Sequence, residues 1–434
     1  MRKLQLHWQI FIAIVAGVAA GWLSGTDGAV LGVTFYSVYD FIGTLFINAL
    51  KMLIVPLIVS SIIVGVASLG GSGQLGKLGG KTVLYYLTTS LLAILVGLLL
   101  VNLIQPGIVD GKPARDLLAL DASTAAVEAN VGAGSGGAQL ADMFLSMVPP
   151  NIISAAANGQ MLGLIFFSIV FGYFMTKVGH EHTEALFRFW DALFATMMKI
   201  TEWVMSFAPI GVFGLVAGTV AETGFDAAGP LLVFSLTVLA ALALHALVTI
   251  PLLIRTVTGL SPVKHYRAVA PALLTAFSTA SSSATLPITI DCLERRAGVS
   301  NKTSSFVLPL GATVNMDGTA LYECVAAIFI AQAYGLELSF ATQFVIVITA
   351  LVTSVGVAGI PSASLVAIAI ILSAVGLPVE AVGVLFVFDR ILDMTRTAVN
   401  VLGDTTCALV VAKLQGEEGL LENDLSEGGG VARA

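Results

Sequence analysis

Charge is what this sequence has least of. Of its 434 residues only 11% are charged, while 57% are hydrophobic, and the mean hydropathy is +0.96. A water-soluble domain carries about 25% charged residues, so the chain reads as a polytopic membrane protein. The net charge of −7 points to no nucleic-acid partner, because much of the acid excess lies after Lys413. Cysteine is scarce too: Cys292, Cys324 and Cys407 lie in or beside apolar segments at wide spacing. That excludes a disulfide framework and a cysteine metal cluster. No histidine lies in the charged segments, and no GxSxG elbow surrounds the serine run at 281–283. Nucleophilic catalysis therefore has no activating base. Paired Cys or His zinc ligands are absent, and Val401-Leu402-Gly403 before Asp404 is no Gly-x-Gly-Asp protease pattern. The sequence argues against an enzyme.

Long apolar runs are what it has in abundance. They lie near 8–25, 35–69, 82–104, 148–177, 184–221, 229–258, 303–332 and 380–413. Each can cross about 30 Å of hydrocarbon at about 1.5 Å per residue. The runs at 35–69 and 184–221 are long enough to tilt strongly, and Pro56 is a candidate kink. Two further stretches, 263–292 and 339–377, are apolar but interrupted, and read as re-entrant hairpins. With the N-terminus in the cytoplasm and the interrupted stretches as hairpins, thirteen basic residues at or beyond the span ends, from Arg2 and Lys3 to Lys302 and Lys413, fall inside, and only Lys112 and Arg115 fall outside. That bias supports eight spans with both ends cytoplasmic. Arg2 and Lys3 precede an apolar stretch without a small-residue cleavage site, so it is read as a retained first helix. Residues 105–140 read as a mobile polar loop, and the acidic, Gly-rich stretch from Gln415 as a disordered tail. His245, alone on an apolar helix, reads as a packing histidine with its hydrogen bonds satisfied rather than a proton relay.

The last apolar run carries Asp389, Asp393, Arg396, Thr397, Asn400 and Asp404 in mid-span. At about 100° per residue these fall within an arc of roughly 100°, with Arg390 at its margin. Each ionised residue near the bilayer centre costs about 2.5–3.5 kcal/mol, so this set facing lipid would cost on the order of 10–15 kcal/mol. The stripe must face protein, water, ions or a charged ligand. An internal ion-pair network is one reading, but three carboxylates, an amide and a threonine exceed what two arginines need.

The interrupted stretches carry a second signal. The first holds Ser281, Ser282 and Ser283 between two short apolar arms. The second holds Gly356, Gly359, Pro361, Ser362 and Ser364 at the corresponding place. Non-helical backbone at membrane depth is tolerated only where it lines a cavity. Two matched breaks mark a midplane substrate site in an inverted-repeat transporter. A third break, GATVNMDGTALYE, puts Asn315, Asp317, Gly318 and Thr319 in mid-membrane. Hard oxygen donors of this kind suit a small cation. Tyr86, Thr89 and Ser90 add hydroxyls from the third run. Glu323 follows Thr319 by one helical turn within an apolar stretch. A carboxylate in such surroundings gains from being protonated, which makes it a candidate proton carrier; the alternative is a structural glutamate that never releases its proton.

SSSATLP at 281–287, GATVNMDGTALY at 311–322, SVGVAGIP at 354–361 and the run from Asp389 to Asp404 resemble the dicarboxylate/amino acid:cation symporters. These include animal glutamate and archaeal aspartate transporters. The resemblance spans the chain from the first helix to Lys413. It implies an all-α membrane protein with eight transmembrane helices and two re-entrant helical hairpins, working as an elevator in a homotrimer. A scaffold at 8–69 and 140–222 would hold a transport domain at 82–105 and 228–414, with a tail at 415–434. The membrane implied is the plasma membrane of a prokaryote, the cell inner membrane. By the same resemblance Arg396 clasps the side-chain carboxylate of aspartate or glutamate, and Asp393 takes the α-ammonium. Thr397, Asn400, Thr319, Ile360 and Ser281 to Ser283 hold the rest. About three sodium sites are implied. One uses Asp404, Gly311, Asn315 and Asn400. A second uses Tyr86, Thr89, Ser90, Asn315 and Asp317. The third uses backbone carbonyls near Thr313, Ser354, Val355 and Val357.

The sequence departs from the family at Ala280, where archaeal members carry Arg, and at Met394, where animal members do. Ser364 replaces a usual glycine, and Thr395 a Gly or Phe. The function expected is a sodium symporter for acidic amino acids, with a proton as further candidate cargo. A neutral amino acid or C4-dicarboxylate carrier is the runner-up, and a gated ion channel the reading from another class.

Overall fold

The computed structural model describes residues 6–30, 32–69, 74–118, 120, 127, 145, 148–157, 161–224, 228–356 and 363–422. Helices dominate. Strands among the described residues are confined to two antiparallel pairs, β1 (Ala29–Val30) with β2 (Val33–Thr34), and β3 (Ile108–Val109) with β4 (Lys112–Pro113). Among the described residues four helical stretches are long and apolar enough to cross a membrane: Leu78–Ile104, Ala228–Thr258, Asn301–Ala333 and Phe388–Leu414.

The first part of the chain supplies α1 (Leu6–Ser24), α2 (Phe35–Leu69), α3 (Gln74–Ile104), α4 (Ile152–Ala157), α5 (Met161–Met175), α6 (His180–Met205) and α7 (Ala208–Thr223). The helix α2 runs unbroken through Pro56. The apolar run at 184–221 does not form one tilted rod. It divides at Ser206 and Phe207 into α6 and α7. Pro209, in the first turn of α7, has no N–H to continue α6 and would clash with the carbonyl one turn back. The helices α1 and α7 approach backbone to backbone: a Cβ on Gly21 would lie 2.3 Å from the Ala217 carbonyl oxygen. Small residues at helix crossings permit this in lipid.

The second part begins with α8 (Ala228–Leu244), prolonged by π-helical turns at His245–Thr249 and Ile254–Thr258. Next come the two arms of the first hairpin, α9 (Pro262–Thr279) and α10 (Ser282–Asp291), with a π turn at Cys292–Arg296. The third apolar break is real: α11 (Asn301–Val314) and α12 (Asp317–Ala333) are separated by extended Asn315 and by Met316. The second hairpin has arms α13 (Phe340–Gly356) and α14 (Ala363–Ala374). A 3-10 turn at Val379–Leu385 leads into α15 (Phe386–Leu414).

The core centres on α12, which is buried along its length except at Gln332, and Tyr334 just beyond its end is buried with it. Gln332 reaches the last turn of α3 and the segment after it, donating to the Val101 carbonyl at 3.0 Å and accepting from Gly107 N–H at 3.2 Å. Ala114, Leu118, Leu120 and Val127 are buried, so the stretch expected as a mobile polar loop is packed over its first part. The tail expected without structure from Gln415 is described as far as Glu422, with Leu420 and Leu421 buried.

Candidate functional site

The polar stripe of α15 lies inside the protein. Asp389, Asp393, Arg396, Thr397, Asn400 and Asp404 are all buried, and Arg396 is only 1% exposed. Arg396 Nη1 lies 3.2 Å from Asp389 Oδ1, and its Nη2 lies 2.9 Å from Asp393 Oδ1. Its guanidinium also stands 4.0 Å from the centre of the Tyr322 ring, a stacked cation–π contact that suits arginine. Arg390 Nη1 reaches Asp393 Oδ2 at 3.4 Å. The sequence pattern alone does not single out Tyr322. Its spacing of three from Thr319 on a helix was the available signal.

Below this cluster α15 meets the broken α11–α12 element. Asn400 Oδ1 accepts from Gly318 N–H at 2.8 Å, and Asn400 Nδ2 donates to Thr319 Oγ1 at 3.1 Å. Asn315 Nδ2 donates to Asp404 Oδ1 at 2.9 Å. Asp317 Oδ1 accepts from Ser90 Oγ at 2.7 Å and Thr89 Oγ1 at 3.2 Å. Glycines permit this density. A Cβ on Gly403 would stand 2.7 Å from both Asn315 Nδ2 and Asp317 Oδ2, and one on Gly311 only 2.4 Å from Asp404 Oδ1. Two buried oxygens, Asp317 Oδ2 and Asn315 Oδ1, have no hydrogen-bond partner among the described residues. Unpaired buried oxygens, one from a carboxylate and one from an amide, fit a small hard cation as missing partner. No group of three or more His, Cys, Asp or Glu fit to hold a metal occurs among the described residues.

Thr397 and Tyr86 sit differently from a ligand set. Thr397 Oγ1 donates to the Asp393 carbonyl at 2.8 Å, and the Tyr86 hydroxyl donates to the Val307 carbonyl at 3.0 Å. His245 is no satisfied packing histidine. It is fully buried, neither ring nitrogen has a hydrogen-bond partner, and Nε2 stands 3.6 Å from Asp317 Oδ2. The π turn that begins at His245 inserts a residue into the helix, so helical periodicity could not place this ring.

Both arms of the first hairpin pack against α15. Its tip is Ala280, left-handed at φ 49, followed by extended Ser281 whose hydroxyl caps α10 by accepting from Ala284 N–H. Ser282 is buried, Ser281 half-buried and Ser283 exposed. His265 on the first arm lies 3.3 Å from both Thr405 Oγ1 and Thr406 Oγ1, pinning the hairpin to α15. In the second hairpin Ser354 is buried, with its hydroxyl on the Leu351 carbonyl at 3.0 Å. Val357, Gly359, Ile360, Pro361 and Ser362, and the side chains of Thr313 and Val355, lie outside the described residues. Glu323 is fully buried; Oε2 accepts from Thr353 Oγ1 at 3.0 Å, and Oε1 has no partner. It therefore joins α12 to the first arm of the second hairpin.

A buried arginine between two aspartates on the same helix as Asp404 is a candidate site for a charged ligand in an apolar helical protein. Residues 6–414 match the family described as the sodium:dicarboxylate symporter family. The chain belongs to that family. It is 38% identical over 413 residues to the proton/glutamate-aspartate symporter of Escherichia coli (strain K12), covering 95% of this chain and 93% of that protein. It is 36% identical over 417 residues to the proton/sodium-glutamate symport protein of Bacillus caldotenax, covering 96% of each. The human neutral amino acid transporter B(0) is 39% identical over 435 residues, covering 91% of this chain and 77% of that one. The protein is thus a multi-pass membrane symporter of amino acids and not an enzyme.

Proposed function

We propose that this protein takes up acidic amino acids, aspartate and glutamate, across a prokaryotic inner membrane, driven by sodium. The carrying observation is Arg396, buried and held between Asp389 and Asp393. A substrate with a side-chain carboxylate can replace one aspartate on its planar fork, and its α-ammonium can then take the released Asp393. A neutral substrate offers Arg396 nothing; a plain diacid offers Asp393 nothing. Asn400, Thr319, Thr397, Ile360 and the serines 281–283 complete the substrate shell in this reading.

Sodium is cargo in this transport cycle, not a resident cofactor. Asp404, Gly311, Asn315 and Asn400 supply one site, and Tyr86, Thr89, Ser90, Asn315 and Asp317 another. Backbone near Thr313, Ser354, Val355 and Val357 supplies a third. Support for the first two comes from the unpaired oxygens of Asp317 and Asn315. Tyr86 and Thr397 must turn from backbone carbonyls to join. Glu323 is assigned a co-transported proton. We further assign eight spans, both termini in the cytoplasm, a homotrimer, and an elevator in which 82–105 and 228–414 move against 8–69 and 140–222.

The names of the bacterial relatives favour the acidic substrate, whereas that of the human relative favours a neutral one. Uptake of labelled aspartate, serine and succinate into proteoliposomes, with and without a sodium gradient, separates these. Saturable, sodium-driven accumulation of aspartate is expected. Accumulation of serine or succinate instead, or currents without accumulation, overturns the proposal.

A further inference from the structure

The chain does not leave the protein where α15 ends. Lys81 of α3 donates to the Leu414 carbonyl at 3.0 Å. Gly416 and Gly419, both left-handed at φ 84 and 73, then turn the backbone aside. This brings Glu417 to the start of α11. Its Oε2 accepts from Ser300 N–H at 2.8 Å, and its Oε1 accepts from Ser300 Oγ at 2.7 Å and Thr303 Oγ1 at 2.5 Å. Ser300 is itself the N-cap of α11, so the carboxylate sits where a helix start favours an anion. Four residues on, Leu421 N–H donates to the Ala297 carbonyl at 2.9 Å. Leu420 and Leu421, each 5% exposed, pack in one apolar cluster with Leu293, Ala297, Val299 and Leu308.

Residues 415–421 thus bridge the end of α15 to the base of the first hairpin. Along the chain that base joins α11 only through the π turn Cys292–Arg296 and the residues up to Ser300. A π turn is a looser helical joint and a recurrent feature of functional sites.

We propose that residues 415–421 are a latch that holds the first hairpin closed against α15, making this hairpin a fixed wall of the binding site. Glu417 is a positioning residue in this device: it touches no substrate and acts through the hairpin base. The inference is independent of which amino acid or ion is carried.

Cys292 reports on it. This thiol is buried in the seam between the hairpin and α15, clustered with Ala272, Ala276 and Val401. Cys324, fully buried in α12, is the control. The full-length protein in detergent is treated with N-ethylmaleimide, and the two sites are followed by peptide mass spectrometry. Glu417→Ala is expected to speed Cys292 alkylation at least tenfold while Cys324 stays unreactive, with Glu417→Gln falling between it and the wild type. Unchanged Cys292 reactivity in Glu417→Ala overturns the latch. So does equal acceleration at Cys292 and Cys324, which marks a general loosening. Should Glu417→Ala fail to fold, Ser300→Ala removes one hydrogen-bond donor and is read by the same two outcomes.

Discussion

The carboxylates in both halves of α15 are buried, and the two halves solve the problem of buried charge in opposite ways. In the first half each carboxylate has an arginine on the same helix: Arg396 serves Asp389 and Asp393, and Arg390 serves Asp393 again. In the second half Asp404, with the facing Asp317, has neutral partners only, Asn315, Thr89 and Ser90, apart from an imidazole 3.6 Å from Asp317. Opposite unit charges at about 4 Å attract by about 4 kcal/mol at an effective dielectric of about 20, and a buried charge without such a partner is costly. A half that carries its own counter-charges can trade one for a ligand's. A half that lacks them is, in the function proposed above, neutralised by a mobile cation.

The comparison breaks first at Arg396. Arg396→Cys or Arg396→Thr should abolish aspartate binding and leave some affinity for serine or alanine, measured by calorimetry. Losing one member of a desolvated charge pair costs about 2–5 kcal/mol, roughly 30- to 5,000-fold in affinity. Undiminished aspartate affinity sinks the assignment of the first half.

Asp404→Asn probes the second half and should act through sodium. Binding linkage is reciprocal, and couplings of this kind run about 5- to 150-fold. The variant should lose most of the sodium dependence of substrate affinity, together with some of the affinity itself. Wild-type sodium dependence would move the ion to another residue.

Glu323 sharpens the contrast, because it is a further buried carboxylate, with one neutral partner, Thr353, and one unpaired oxygen. With sodium fixed and acid outside, wild-type proteoliposomes should take up substrate several times faster, and Glu323→Gln should ignore the gradient. An indifferent wild type, or a responsive Glu323→Gln, removes the proton from this site.

The smallest effect is expected beyond α15. Partial burial raises the affinity of Glu417 for a proton, but hydrogen bonds from Thr303 and Ser300 and the charge of Lys302 outweigh it and hold this carboxyl below its usual range. Glu294 at the hairpin base is bound by Asn301 and Ser304. A carboxylate with a depressed native pKa stabilises the fold above its unfolded value, and the contribution is lost as pH falls through the native one. Acidification below the ordinary glutamate range should therefore lower the melting temperature less in Glu417→Gln than in the wild type. Parallel acid profiles would contradict this.

Much of the site was legible because membranes penalise stray polarity. A charged stripe at helical spacing and three breaks in apolar runs could only face inward, and the breaks after Thr279 and Val314 fall inside two of those marked stretches. Pro209 was also visible, yet the run at 184–221 read as one span because hydropathy averages over a helix start. The ring of His245 and the aromatic face of Tyr322 were not legible. A π turn shifts the first off the helical lattice, and contact across helices decides the second.

By itself the sequence determined that this chain lives in a membrane, which helix carries its charge, and that the family's motifs stand at 281–287, 311–322 and 354–361. Those are consequences of composition and local period, which every segment carries alone. Only the tertiary structure decided which charges pair, that Asp317 faces His245, and that the residues after Leu414 fold back onto Ser300 and Ala297. Such contacts join positions more than a hundred residues apart in places, as Glu417 to Ser300 does. Their energy depends on distance and desolvation, which no local pattern encodes.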